Sequence, residues 1–186
     1  MINKNKKSIF AMNSKLENCI LCSRLVEFRT SIARKKRKLY KNEDYWGKPI
    51  SGFGDKNARL MILGLAPAAH GGNRTGRVFT GDKSSDFLFN CLYESGISNH
   101  SYSNNREDGL KLFNAYITLA LKCVPPEDKP TKEELQNCSY FLRKEMIYFN
   151  QIKVILCLGK IAFDSILQYY KNNNIMVLKK FKFSHG

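Results

Sequence analysis

Apolar and polar positions alternate in recognisable blocks over the later two-thirds of the chain, and show no such order before about Asn57. Arg59–Leu65 (RLMILGL) is a short apolar run that ends in a glycine-rich loop, the pattern of a buried strand. Leu112–Leu121 and Lys153–Leu158 (KVILCL) are two more strand candidates. Helical stretches lie between and after them. Ser85–Ser95 reads as a helix with Ser84 or Ser85 as N-cap and Gly96 just past its end. Thr131-Lys132-Glu133-Glu134 is a capping box, which predicts a helix over Lys132–Phe149. Gly159 leads into a helix over Lys160–Tyr170, and Val177–Phe183 is a candidate final strand. This alternation predicts an α/β domain with a central, mostly parallel sheet covered on both faces. Ligands of such sheets bind beyond the carboxyl ends of the strands, where the loop after Leu65 and the segment after Leu121 both fall.

A length of 186 residues and a hydrophobic share of 43% fit one globular domain, and no repeat or Pro- or Ser-rich linker divides it. Apolar runs such as Leu60–Ala69 are too short to cross a bilayer. Met1–Ser8 is lysine-rich, but no apolar segment with a cleavage site follows, so a cytoplasmic protein is expected. Charge adds a partner. Lys and Arg total 31 against 16 Asp and Glu, a net +15, with a basic cluster at Arg34–Lys38. Such an excess points to nucleic acid, although a lysine-biased surface gives the same sum. No basic amphipathic helix of the kind that lies on membranes stands out.

Six cysteines, at positions 19, 22, 91, 123, 138 and 157, are poor disulfide candidates in that compartment. Cys19-x-x-Cys22, with Cys123 and Cys138 on either side of a helix start, makes two pairs that suit zinc or an iron–sulfur cluster equally. Cys157 lies in an apolar strand and Cys91 on a helix, both expected in packing roles. The loop Gly64–Asp82 holds Gly64, Gly71, Gly72, Gly76 and Gly81 together with His70, Asn73, Arg74, Arg77, Phe79 and Asp82. Gly71 and Gly76 have phosphate-loop spacing, but Arg77-Val78 stands where Lys-Ser/Thr is required, which excludes a nucleoside triphosphatase of that type.

Residues Gly64–Asp82 resemble, nearly residue for residue, the first active-site motif of type-5 uracil-DNA glycosylases. Cys19–Cys22 followed by Arg24-Leu25, Leu121–Pro126 followed by Lys129-Pro130-Thr131, and Leu156–Gly159 agree in order, so the resemblance covers about residues 15–186. It implies the three-layer α/β/α glycosylase fold in a single domain, with residues 1–57 as a basic, cluster-binding segment. It also implies uracil-containing DNA as partner, a monomer, and a [4Fe–4S] cluster on Cys19, Cys22, Cys123 and Cys138. Phe79 would stack on uracil, and the backbone of Leu65, Ala66, Pro67 and Ala68 would meet the base carbonyls. Ala66 stands where other glycosylases carry an acidic or amide group, as in the type-5 family, so Asp82 and His70 become the polar candidates for catalysis, with capping of the following helix the alternative for Asp82 and satisfaction of loop backbone the alternative for His70. Asn73 and Arg74 are expected on base or phosphate, Arg77 equally there or in a structural ion pair, and Thr118 as the hydroxyl of the second strand. Relatives carry a C-terminal His-Pro-Ser segment, whereas this chain ends at Phe183–Gly186, so a glycosylase lacking that region is expected. A non-catalytic DNA-binding remnant and a zinc-dependent RNA-binding protein are the rival expectations.

Overall fold

The three apolar runs form the three long strands. The structure, a computed structural model, describes residues 2–175 and 182–184. Strands β2 (Leu60–Gly64), β3 (Ala115–Leu119) and β4 (Val154–Cys157) run parallel, and β1 (Phe53–Gly54) adds an antiparallel edge, in the order β1-β3-β2-β4. The central pair is buried on both faces, which is why its sequence is continuously apolar. Because side chains alternate across a strand, one strand feeds two cores. Ile62, Ile117 and Leu119 meet Phe89 and Leu92 of α4 (Lys83–Glu94) on one face. Met61, Leu63 and Tyr116 meet Leu142 of α5 (Lys132–Tyr148) and Ala162 and Ile166 of α6 (Lys160–Asn172) on the other. Full burial of each large apolar side chain contributes about 1.5–3 kcal/mol. The three-layer α/β/α expectation holds, and among the described residues no helix is long and apolar enough to cross a membrane.

Two local expectations change. Asp82, rather than Ser84 or Ser85, caps α4: its carboxylate accepts from the Ser85 amide at 3.0 Å while the Ser85 hydroxyl answers at the Asp82 amide. A carboxylate also complements the positive end of the helix dipole, which serine does not. The N-terminal region is ordered where the pattern shows none. It holds α1 (Ile2–Glu17) and α2 (Ser23–Lys35). Ile9, Met12 and Leu16 make a helical stripe on α1 that packs on Phe141 of α5. Helix α2 buries Leu25 and Arg29, and an arginine at a core position hides the amphipathic signal. The candidate strand Val177–Phe183 falls mostly outside the described residues, and Lys182 and Phe183 are not in a strand.

Candidate functional site

Beyond the strand ends, β2 and β3 stay side by side for two residues: the Ala120 amide donates to Gly64 O at 2.9 Å and Leu121 to Leu65 O at 2.8 Å. The chain then arcs through Leu65–Gly71, makes the single turn α3 (Gly72–Thr75) and returns to α4. Along the arc, the amides of Ala66, Ala68, Ala69 and His70 donate to no acceptor among the described residues. Such amides are fixed donors awaiting an oxygen from outside the chain.

Phe79 stands beside this arc. Its φ of 45° is left-handed, a conformation that costs a non-glycine residue about 1–3 kcal/mol. Its ring lies so close to Gly64 that a Cβ there would sit 2.6 Å from Cζ. The flanking residues hold it. Buried Arg77 donates to Asp108 (2.9 and 2.5 Å), Ser103 (2.7 Å) and Thr80 (3.1 Å). This is the ion-pair alternative expected of Arg77, and it keeps the Asp108 carboxyl well below the usual carboxylate range despite burial, with three backbone amides helping.

Asp82 lies against the loop at Gly71, next in the chain to His70, so close that a Cβ on Gly71 would collide with Asp82 Oδ2. Burial pushes the Asp82 carboxyl up, against the pull of the Ser85 and Ser84 amides. Burial, then Arg37 and Arg74, pull His70 down, so it stays neutral near pH 7. The Tyr45 hydroxyl meets His70 Nδ1 at 3.0 Å and accepts from the Arg37 amide at 3.3 Å. If the phenol gives its one hydrogen to Nδ1, the proton of the neutral imidazole sits on Nε2.

Three predicted contacts lie elsewhere. Asn73 is buried and gives its amide to Arg29 O at 3.2 Å. Arg74 is consumed within the loop: it bonds His70 O at 2.7 Å and Gly81 O at 3.2 Å, pairs with Glu43 and lies 3.9 Å from the Tyr40 ring centroid. Thr118 shares the α5 face with Tyr116, opposite Phe79. Its hydroxyl is buried with Lys122 (2.5 Å) and Glu145 (2.9 and 3.0 Å). The period-two alternation of β3 decides this, and spacing in the sequence does not show which face meets the loop. The sequence reading also missed residues 40–47, which strap the arc through Tyr40, Glu43, Tyr45 and the Trp46 and Gly47 amides, the last two donating to Arg74 O and Asn73 O at 2.9 and 3.0 Å. Their lack of periodicity left no signal.

The cysteines form a second centre at the same end of the sheet. Cys19, Cys22, Cys123 and Cys138 are free thiols lining one cleft with Leu21, Leu25, Val26, Asn137 and Phe141. Arg24 holds Glu134 with two bonds of 2.8 Å, which fixes the start of α2 on the start of α5, and so Cys22 near Cys138. Burial raises Cys123 to about 12 and Cys138 to about 11. Cys138 further raises Cys123 while Arg29 opposes it; the Lys122 amide, at 3.5 Å, opposes the rise at Cys138. Such thiols ionise only when something positive binds them. No three His, Cys, Asp or Glu among the described residues are placed to hold a single metal ion. Ala66 packs against Leu25, Leu121, Cys123 and Cys138, so arc and cleft share a wall. Cys91 is exposed and Cys157 half-buried, both apart from that cleft. A cavity of about 890 Å³ between α5 and α6 includes neither the arc nor a cysteine.

Comparison with known proteins agrees with this geometry. Residues 51–183 match the family model of the uracil DNA glycosylase superfamily. The chain is similar to the type-5 uracil-DNA glycosylase of Pyrobaculum aerophilum, 46% identical over 155 residues, which are 83% of this chain and 67% of the relative. It is 43% identical to that of Thermus thermophilus, over 83% of this chain and 70% of the relative, and 38% identical to that of Mycobacterium leprae, over 100% and 80%. The chain belongs to the uracil DNA glycosylase superfamily.

Proposed function

We propose that this protein is a uracil-DNA glycosylase of the type-5 kind, which hydrolyses the N-glycosidic bond of uracil in DNA for base excision repair. The observation that carries the reading is the arc of unused amides beside Phe79, with Asp82 and His70 at its far end. The base must leave the helix before any side chain reaches the bond. Basic residues, Arg34–Lys38 among them, hold phosphates. The extruded uracil stacks on Phe79, and the amides of Ala66 and Ala68 to His70 meet its carbonyl oxygens. As the bond breaks, its electron pair goes to the uracil ring and those donors stabilise the charge, which is where fixed dipoles act most strongly. Water attacks the sugar carbon, and Asp82, whose second oxygen faces Gly71, takes its proton. Neutral His70, held by Tyr45, adds an Nε2–H donor. Asn73, Arg74 and Thr118 take supporting roles in place of direct contact.

Cys19, Cys22, Cys123 and Cys138 are the residues that hold a [4Fe–4S] cluster. All four thiols line one cleft and are unpaired by disulfides, and four such thiols are a ligand set that suits a cluster of this kind. When bound, the cluster supplies a structural tie between the N-terminal helices and the strand-end segment. The protein acts as a single-domain monomer in the cytoplasm. Incubation with a uracil-containing duplex, followed by alkaline cleavage, tests the activity: strand scission at uracil is expected, and its absence refutes the reading. Iron and acid-labile sulfide in the purified protein test the cluster, and stoichiometric zinc without iron refutes it.

A further inference from the structure

A buried cation without an anion marks a second link between the cysteine cleft and the loop. Arg29 is 5% exposed, and among the described residues no carboxylate pairs with it. Its guanidinium donates to Gly47 O and, at 3.3 Å, to Cys19 O, both neutral. Its Nε–H is buried with no acceptor. An isolated buried charge is among the costliest arrangements in a protein, and it persists only where a counter-charge is supplied. Cys19, whose carbonyl Arg29 holds, lines the cleft, and four ionised thiolates around a metal centre leave that centre net anionic.

We propose that Arg29 is the counter-ion of the metal centre in the cysteine cleft, and that the same side chain ties the state of that centre to the glycine-rich loop. The loop connection is a closed ring of hydrogen bonds. Arg29 holds Gly47 O, the Gly47 amide holds Asn73 O, and the Asn73 side chain returns to Arg29 O. Asn73 lies in α3, one turn from His70. Loading the cleft fixes Arg29, and Arg29 then fixes residues 46–47 and the turn that carries the loop. Arg29 is a positioning residue; it touches no substrate. The inference rests on the cysteines being metal ligands.

Arg29→Met, which keeps length and removes charge, and Arg29→Lys, which keeps charge and removes the fork, separate the roles. Three readouts apply to the purified holoprotein: metal content, loss of the visible chromophore under chelator, and the cluster midpoint potential. Arg29→Met should lose its cluster about 10- to 100-fold faster, the usual cost of removing a partner around a metal site. Its potential should fall, because a lost positive charge disfavours the reduced cluster. Arg29→Lys should keep a potential near the natural one. The single tryptophan, Trp46, reports the second half, since its amide donates to Arg74 O next to Gly47. Acrylamide quenching of Trp46 should rise when the unsubstituted protein is stripped of metal, and change less in Arg29→Met. Equal cluster loss and equal potential in both variants and the parent overturn the counter-ion, and an unchanged Trp46 overturns the link. Natural protein that binds no metal refutes the ligand assignment itself, and the inference with it. If Arg29→Met does not fold, Arg29→Lys and the stripped parent still decide: a shifted Arg29→Lys potential, or Trp46 blind to stripping, counts against the proposal.

Discussion

Arg77 and Arg29 are both 5% exposed and flank the same loop, yet their surroundings are opposite. Arg77 has a carboxylate and two hydroxyls inside the chain, and four of its bonds span 2.5–3.1 Å. Arg29 has two carbonyls and an orphaned Nε–H. The difference teaches where each charge finds its balance. Arg77 is complete within the fold and serves to hold Phe79 in its left-handed conformation. Arg29 is complete only with something the cysteine cleft binds.

Breaking the complete pair should have the largest effect. Arg77→Met or Asp108→Asn leaves a buried partner unpaired, an expected loss of about 3–5 kcal/mol in denaturant unfolding. A loss below 1 kcal/mol would show that the pair is no tighter than a surface one. The pair also sets a pH response. Asp108 is depressed, so its stabilisation is present above the unfolded carboxylate value of about 3.9 and is lost as pH falls through it and below. Asp108→Asn should flatten that acid-side loss; an unchanged acid profile assigns it to Glu134 and Asp55, which are depressed too.

Gly64→Ala attacks what Arg77 protects. A Cβ at 2.6 Å from Phe79 must displace the ring, and misplacement of that order costs about 10² in rate. Single-turnover excision should fall accordingly while salt-dependent DNA binding holds; full activity would remove Phe79 from the base pocket. At Arg29, substitution by Met in metal-free protein should change stability little, because relief of an unpaired buried charge offsets the two carbonyls left without donors. The holoprotein should lose more, and equal losses with and without metal would make Arg29 a second Arg77. Tyr45→Phe removes one hydrogen bond from His70, an effect of about 1 kcal/mol or a several-fold loss of excision rate. A fully active variant would show that the tautomer at His70 is immaterial. With Asp82 as the proposed base, the acid limb of excision should lie above an ordinary carboxylate, because burial raises its carboxyl, and Asp82→Asn should abolish that limb together with most activity.

The strands and capped helices were legible because their signals are local. Thr131 and Glu134 satisfy each other three residues apart, and β2 and β3 are apolar because both faces are covered. The loop was legible as a site because its polar and glycine content exceeds what a connection needs. The first helices were not, because α1 gains its order from Phe141 on α5 and α2 buries an arginine.

By itself, then, the sequence determined the α/β alternation, the loop Gly64–Asp82 and the four paired cysteines, all written in neighbours along the chain. Only the tertiary structure decided which polar groups were spent inside. Asn73 and Arg74 turned inward because residues 29 and 43–47 offered them partners from distant segments, and Thr118 turned to Glu145 because strand register sets its face. Whether a donor remains available depends on what packs against it in space, and nothing in its neighbours along the chain records that.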